Sequence, residues 1–88
     1  GEPDGCYNLG VMYEKGLGCK QDFVKARVMY EKAAEKGNAN ALNNLGSIYY
    51  NGRGVAEDDK KAFAYYTQAA DNGSLPALTN IASVLSRI

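Results

Sequence analysis

Apolar side chains recur at helical spacing along this chain. Leu42, Leu45 and Tyr49 lie three and four residues apart, so they fall on one face of an α-helix. Ala62 and Tyr66, four residues apart, begin a second such face after a glycine-containing segment. The pattern therefore predicts a pair of amphipathic helices joined by a short loop.

This helix pair is one copy of an internal repeat of 36 residues, which is the distance from Gly10 to Gly46. The identities at this offset are Asn8 and Asn44, Leu9 and Leu45, Gly10 and Gly46, Tyr13 and Tyr49, Gly16 and Gly52, Gly18 and Gly54, Asp22 and Asp58, Lys25 and Lys61, Ala26 and Ala62, Tyr30 and Tyr66, Ala33 and Ala69, Ala34 and Ala70, Gly37 and Gly73, and Ala41 and Ala77. A fixed period of this size indicates stacked units that bury their apolar faces against their neighbours. We predict a single domain, 1–88, with repeat 1 at about 6–41, repeat 2 at about 42–77 and a partial repeat 3 at about 78–88.

The repeated residues resemble the Sel1-like repeat family, which is related to the tetratricopeptide repeats. The resemblance is carried by Asn44, Leu45, Gly46, Tyr49, Gly52, Gly54, Val55, Asp58, Lys61, Ala62, Tyr66, Ala69 and Ala70. It implies an all-α fold, a right-handed α/α solenoid of antiparallel helix pairs, with two full repeats plus a terminal helix. It also implies a bacterial module that binds a peptide or protein partner on the concave face of its first helices, within a longer adaptor.

Residues suited to helix caps bound the predicted helices. Gly16 is expected to end the first helix in the left-handed conformation. Asp22, Asn38, Asp58 and Ser74 are expected to begin the later helices, because a short polar side chain can accept a hydrogen bond from the first turn.

Two glycines, Gly10 and Gly46, lie in the middle of first helices, where glycine costs about 1 kcal/mol relative to alanine. Such a cost indicates close packing by a second helix. We expect the matching small residues on the second helices to be Ala26, Ala33, Ala62 and Ala69. Ala82 takes the place of this glycine in the third copy.

Charge and composition narrow the function classes. Ten acidic and ten basic residues cancel, so no face for nucleic acid is expected. No apolar stretch reaches the roughly 18 residues of a membrane span, so no membrane partner is expected. Histidine is absent from the sequence, which removes the commonest general base and most types of zinc site. We therefore predict no enzyme, no cofactor and no metal.

The two cysteines, Cys6 and Cys19, are expected to stay unbonded to each other. About 12 residues of helix between them rise roughly 18 Å, whereas a disulfide needs Cα atoms within about 7 Å. Cys6 aligns with Leu42 and Leu78, and Cys19 aligns with Val55. Both are therefore expected to be small buried hydrophobic residues.

The cysteine-rich Sel1-like proteins of Helicobacter are distantly similar to this chain. They pair a cysteine at the end of a second helix with one in the next first helix, but Ala34 and Leu42 occupy those places here. A pair between Cys6 and a cysteine upstream of Gly1 stays an alternative.

Binding or hydrolysis of β-lactams, attributed to some of these relatives, is the alternative function, although the sequence has no Ser-x-x-Lys motif. A purely structural spacer is the third reading.

A partner groove is expected on the first helices, as in similar solenoids. The core stripe takes Cys6, Leu9 and Tyr13 in the first copy, which leaves the neighbouring stripe to the groove. The predicted partner-binding residues are Tyr7, Asn8, Val11, Glu14, Asn43, Asn44, Ser47, Tyr50, Thr79, Asn80 and Ser83. In tetratricopeptide domains an asparagine at the place of Asn44 grips the ligand backbone, and the resemblance implies that role here. The alternative is that each asparagine bonds an adjacent helix and holds the stack.

The seven tyrosines divide by whether they recur at the repeat period. Tyr13, Tyr30, Tyr49 and Tyr66 recur and are expected in the core or between helices. Tyr7, Tyr50 and Tyr65 do not recur, so the fold does not require them.

The last helix carries Leu78, Ile81, Val84, Leu85 and Ile88, of which Val84, Leu85 and Ile88 are expected on an uncovered side. We therefore predict a weak homo-oligomer through this helix or docking on a further element.

Overall fold

Five α-helices make up the fold in the computed structural model, which describes residues 3–87. They are α1 (Pro3–Lys15), α2 (Phe23–Glu35), α3 (Ala39–Asn51), α4 (Asp59–Asp71) and α5 (Leu75–Arg87). No strand occurs between residues 3 and 87, and none of these helices is long and apolar enough to cross a bilayer. Helices α1 and α2 form one packed pair, α3 and α4 form the next, and α5 packs mainly on α4. The predicted all-α solenoid is confirmed.

The helices begin at the predicted cap residues. Asp22, Asn38 and Asp58 each accept a hydrogen bond, through the side-chain oxygen, from the backbone N–H three residues later. Ser74 differs, because its hydroxyl is buried and has no hydrogen-bond partner. Pro76, in the first turn of α5, has no N–H to donate, and this removes one of the usual partners of an N-cap side chain. The prediction that Ser74 caps α5 through its side chain is therefore wrong.

Each mid-helix glycine lies against a tyrosine ring. A Cβ atom added to Gly10 would lie 2.5 Å from Cε1 of Tyr30, and one added to Gly46 would lie 2.5 Å from Cδ1 of Tyr66. The close packing is confirmed, but a tyrosine ring, rather than an alanine, fills the space beside the glycine. The alanines contribute differently: Ala26, Ala33, Ala62 and Ala69 are fully buried and let the second helix lie close to its neighbours.

The core centres on α3, which is covered on two sides. Leu45 is fully buried in α3, in contact with Ala33 and Tyr30 of the preceding pair. Leu9, its equivalent in α1, is 44% exposed. The prediction of Leu9 as a core residue is wrong because, among residues 3–87, no helix lies on that side of α1.

The two loop residues that are equivalent in the repeat, Cys19 and Val55, differ in burial. Val55 is half-buried between the two main core clusters, whereas Cys19 is exposed. The reason is that the loop carrying Val55 docks on the start of α2, where a Cβ on Gly54 would lie 2.9 Å from Cβ of Phe23. The first loop has no such helix to dock on within the described chain. The prediction that Cys19 is buried is therefore wrong. Cys6 was also predicted to be buried, and it is half-buried.

Helix α5 is buried on one side only. Val84 is fully buried against Tyr66 and Tyr49, so its predicted exposure is wrong. Leu78 and Leu85 are 57% and 58% exposed. Ile88, the last residue of the predicted face, lies outside the described residues.

Candidate functional site

The predicted partner-binding residues lie together on α1, α3 and α5, the first helices of the repeats. Asn8, Thr79 and Ser83 are exposed, and the others are half-buried. We call this surface the first-helix groove, defined by Tyr7, Asn8, Val11, Glu14, Asn43, Asn44, Ser47, Tyr50, Thr79, Asn80 and Ser83. Its side chains are held mainly at two junctions, one between α1 and α3 and one between α3 and α5.

Tyr30 of α2 organises the junction between α1 and α3. Its ring lies beside Gly10, and its hydroxyl donates to Oε1 of Glu14 at 2.8 Å. The ring of Tyr7 packs against it at a centroid distance of 5.9 Å. Burial raises the pKa of the Tyr30 phenol, the bond to Glu14 raises it further, and a hydrogen bond from Asn44 opposes this shift. Tyr30 therefore stays a neutral donor that fixes the Glu14 carboxylate.

Val11 and Tyr7 complete this junction as half-buried apolar groups that pack against the main core cluster. The fold was not expected to require Tyr7, and the structure shows that its ring nevertheless packs on Tyr30 and against the core cluster. It still presents part of its ring to the groove. Tyr65, which the fold was likewise not expected to require, stacks on Tyr49 at a centroid distance of 5.7 Å and is part of the packing.

Direct side-chain contacts close the junction between α3 and α5. The amide of Asn80 donates to Oδ1 of Asn43 at 2.8 Å. The hydroxyl of Tyr50 donates to the backbone oxygen of Ser83 at 3.5 Å, which is a long bond. Asn80 thus bonds an adjacent helix, which was the alternative role predicted for the asparagines. It is half-buried, so part of it also remains at the groove surface.

A second buried tyrosine reaches the groove at Ser47. The hydroxyls of Tyr66 and Ser47 are 3.0 Å apart and share a hydrogen bond. Burial raises the pKa of the Tyr66 phenol, and the bond to Ser47 lowers it in part. Tyr30 and Tyr66 were predicted as packing residues, but the position of their hydroxyls at the groove was not predicted. The signal was present, because each tyrosine recurs with the mid-helix glycine that it crosses.

Arg87 closes one end of the groove and was not predicted. Its guanidinium lies 3.6 Å from the ring centroid of Tyr50, and its Nη2 donates to the backbone oxygen of Tyr50 at 2.7 Å. It also forms an ion pair with Asp59, with Nε donating to Oδ1 at 3.1 Å, and this bond raises the pKa of Arg87. The guanidinium therefore covers one face of the Tyr50 ring and ties α5 to α4.

The groove offers hydrogen-bond groups and half-exposed aromatic rings rather than reactive groups. Among the residues that the structure describes, no three cysteine or acidic side chains gather in a way that could hold a metal ion. The groove has amide, hydroxyl and carboxylate groups in fixed positions, and such groups suit the recognition of a peptide backbone and its side chains.

Comparison with known proteins identifies similar chains. The family model described as the Sel1 repeat matches residues 3–38 and 39–74. A Sel1 repeat protein from Oxalobacter formigenes is 32% identical, with a TM-score of 0.86 over 91% of this chain and 33% of that one. A protective antigen of uropathogenic Escherichia coli strains, which displays an SLR fold, is 31% identical, with a TM-score of 0.93 over 100% of this chain and 19% of that one.

Cysteine rich protein B of Helicobacter pylori is 34% identical, with a TM-score of 0.82 over 88% of this chain and 58% of that one. The chain thus spans between 19% and 58% of the length of these three proteins. The repeats shared with them generally serve as interaction scaffolds without catalysis.

Proposed function

Because this chain belongs to the Sel1 repeat family, whose repeats generally mediate protein–protein interactions, we propose that it binds a peptide or protein segment along the first-helix groove. The observation that carries the proposal is the fixed polar strip across α1, α3 and α5. Glu14, Asn43 and Ser47 are each held by a hydrogen bond to another helix. A strip that is already ordered loses little side-chain entropy when a partner binds, so more of the contact energy appears as affinity.

The aromatic rings at the two junctions add contact area. Tyr7 and Tyr50 are half-buried, and tyrosine is enriched at protein interfaces, where an apolar ring and a polar hydroxyl act together. The proposed partner is a protein or peptide, in a role without catalysis. The β-lactam alternative gains no support from the groove, because no serine there has a lysine or histidine partner in its hydrogen bonds.

A peptide library displayed on phage tests the proposal. The protein is panned against random peptides, the selected peptides are synthesised, and their dissociation constants are measured by isothermal titration calorimetry. The groove variant is Asn8→Ala/Thr79→Ala, which removes two exposed polar side chains from α1 and α5. The matched control is Asn40→Ala/Thr67→Ala, which makes the same two changes outside the groove, with Asn40 exposed on α3 and Thr67 bonded within α4.

We expect the groove variant to bind the selected peptides at least about tenfold more weakly, which corresponds to about 1.4 kcal/mol and to the loss of one or two hydrogen bonds. The control should keep the affinity of the unchanged protein. Equal affinities for both variants would overturn the groove as the site. A panning experiment that selects no peptide would favour the structural spacer.

We also propose that α5 pairs weakly with α5 of a second copy. Leu75, Leu78 and Leu85 are 76%, 57% and 58% exposed, whereas Leu42, the equivalent of Leu78, is 3% exposed because α4 covers α3. Ala82 stands where Gly46 receives a tyrosine ring, so a second helix of the usual kind would clash there. An identical helix crossing at this small alanine would instead bring Leu78 of one copy against Leu85 of the other.

The exposed stripe is small for a stable dimer. It offers on the order of 300 Å² per copy, against about 800 Å² per partner in standard interfaces, so pairing is expected only at high concentration. Light scattering from micromolar to millimolar protein should show a rising mass, and Leu85→Glu should abolish the rise. Leu17→Glu, which changes another exposed leucine in the first loop, is the control and should not. A constant monomer mass at millimolar concentration would contradict the pairing.

A further inference from the structure

A cleft separates the second helices α2 and α4. It has a volume of about 360 Å³, and α3 forms its floor. The residues that define it here are Glu31, Glu35, Leu42, Leu45, Tyr65 and Gln68, and we call it the second-helix cleft. Its volume falls at the lower end of the roughly 300–1,000 Å³ typical of ligand sites. None of its residues belongs to the first-helix groove.

The floor and one wall of the cleft are apolar and rigid. Leu42 and Leu45 are 3% and 0% exposed, so they are fixed in the core. Tyr65 forms the wall, and its ring is held by stacking on Tyr49 with an interplanar angle of 13°. Burial raises the pKa of the Tyr65 phenol, so the ring is neutral at physiological pH. The floor is therefore closed, and a side chain that enters the cleft meets mainly the half-buried ring of Tyr65.

The rim of the cleft carries negative charge. Glu31 and Glu35 lie one helical turn apart on α2, where two carboxylates repel each other. Arg27 pairs with Glu31 at 3.4 Å, one turn back along the same helix. Glu35 is exposed and forms no ion pair within residues 3–87. The opposite rim, Gln68 of α4, is neutral. Arg27, which pairs with Glu31, also lies near enough to act on Tyr65, so Glu35 is the rim carboxylate that has no ion pair within residues 3–87.

This combination matches one kind of side chain. Lysine and arginine carry a positive group on a hydrocarbon stem, and such stems lie along apolar surface while the charge stays at the rim. A cation beside the face of a tyrosine ring gains further attraction. A neutral apolar side chain would gain nothing from the Glu35 carboxylate, which is exposed to water, and an acidic one would be repelled by it.

We propose that the second-helix cleft receives a lysine or arginine side chain from a segment of a partner protein that lies between α2 and α4. The stem lies along the ring of Tyr65 above the apolar floor, and the cation pairs with Glu35, beside the pair that Glu31 forms with Arg27. The chain then has two binding surfaces, one on its first helices and one on its second helices. The second does not depend on the first, because the two share no residue.

The test uses the same phage-displayed peptide library, with Asn8→Ala/Thr79→Ala as the bait so that groove binders are depleted. The selected peptides are synthesised, each with a partner peptide in which norleucine replaces the basic residue. Affinities are measured for the unchanged protein, for Glu35→Gln and for Glu31→Gln/Glu35→Gln. Glu57→Gln, which removes an exposed carboxylate 4.0 Å from Arg87 in the loop before α4, is the control for Glu35→Gln.

We expect the selected peptides to carry a lysine or arginine next to apolar residues. The double variant should raise the dissociation constant by about two- to thirtyfold, because it removes both rim carboxylates and exposed ion pairs are individually weak. The norleucine peptides should lose affinity by a similar factor, and this readout does not depend on how any variant folds. Glu57→Gln should leave the affinity unchanged.

Three results would overturn the proposal: selected peptides without a basic residue, affinities that Glu31→Gln/Glu35→Gln leaves unchanged, or no selected peptides from this bait. The groove proposal is judged separately, by whether peptides selected with the unchanged protein lose affinity for the groove variant. Failure of one site can therefore be told from failure of the other.

Discussion

Replacement of Gly46 by alanine tests how the repeat is packed. By helix propensity alone, Gly46→Ala in the middle of α3 should stabilise the protein by about 1 kcal/mol. The structure opposes this gain, because the added Cβ would lie 2.5 Å from both Cδ1 and Cε1 of Tyr66. Ordinary contacts between carbon atoms lie at about 3.5–4.0 Å. The ring or the helix must therefore move by about 1 Å.

Tyr66 has little freedom to move. It is 2% exposed, it packs against Ala62 and Val84, and its hydroxyl bonds Ser47 at 3.0 Å. Overpacking of a filled core costs about 1–3 kcal/mol, and displacement of the ring also strains a hydrogen bond that contributes about 0.5–1.5 kcal/mol. After the helix-propensity gain of about 1 kcal/mol is subtracted, we expect Gly46→Ala to lower the free energy of unfolding by about 0.5–3.5 kcal/mol.

Urea denaturation and thermal melting measure this change, and about 1 kcal/mol corresponds to roughly 4–8 °C in a domain of this size. Gly5→Ala is the control, because Gly5 also lies in a helix but a Cβ there would meet nothing within 4 Å. It should raise stability by up to about 1 kcal/mol. In a Tyr66→Leu background, Gly46→Ala should become neutral or stabilising. If Gly46→Ala stabilises the unchanged protein as much as Gly5→Ala does, the packing argument is refuted.

Three further outcomes are expected. Tyr30 has a raised pKa in the folded state, so the free energy of unfolding should fall as the pH rises above the ordinary tyrosine pKa of about 10. Urea denaturation at alkaline pH measures this fall, and Tyr30→Phe should make it less steep. Val55→Asp should lower the free energy of unfolding by about 1–3 kcal/mol, because Val55 is half-buried between two clusters. Cys19→Asp, at the exposed equivalent position, should change it by no more than about 0.5 kcal/mol. Equal effects of the two substitutions on the melting temperature would contradict the difference in burial. Thiol titration of the denatured, non-reduced monomer should count both Cys6 and Cys19 as free, and a count of zero would contradict the structure.

The fold was predictable because each signal in the sequence is local and repeated. The offset of 36 residues, the caps at Asp22 and Asp58, and the glycines in mid-helix all concern residues close in sequence or one repeat apart. What failed was the assumption that equivalent positions have equal surroundings. Leu9 and Leu45 are identical in the repeat, yet one is 44% exposed and the other fully buried. Burial depends on which helices lie on each side, and a repeat pattern alone does not contain that information.

The groove was predicted less completely than the fold. Its residues do gather on α1, α3 and α5, because helical spacing fixes which side chains share a face. The hydroxyls of Tyr30 and Tyr66 and the guanidinium of Arg87 were missed, since each comes from outside the stripe that the spacing defines. The pairing of Arg87 with Asp59 spans 28 residues and does not recur, so no periodic pattern announces it.

The contact between glycine and tyrosine links the fold to the groove. In both full repeats a ring from the second helix lies beside the glycine of the first helix, and its hydroxyl reaches the groove at a different residue, Glu14 in repeat 1 and Ser47 in repeat 2. Those two residues are not equivalent in the repeat, since Glu14 aligns with Tyr50. The core therefore requires only that some acceptor lie within reach of the buried phenol, because an unpaired buried hydroxyl costs about 1–3 kcal/mol. Groove positions can then differ from one repeat to the next without any change in how the helices pack. Under the proposed function, a repeat with a fixed core can thereby present different chemistry to a partner.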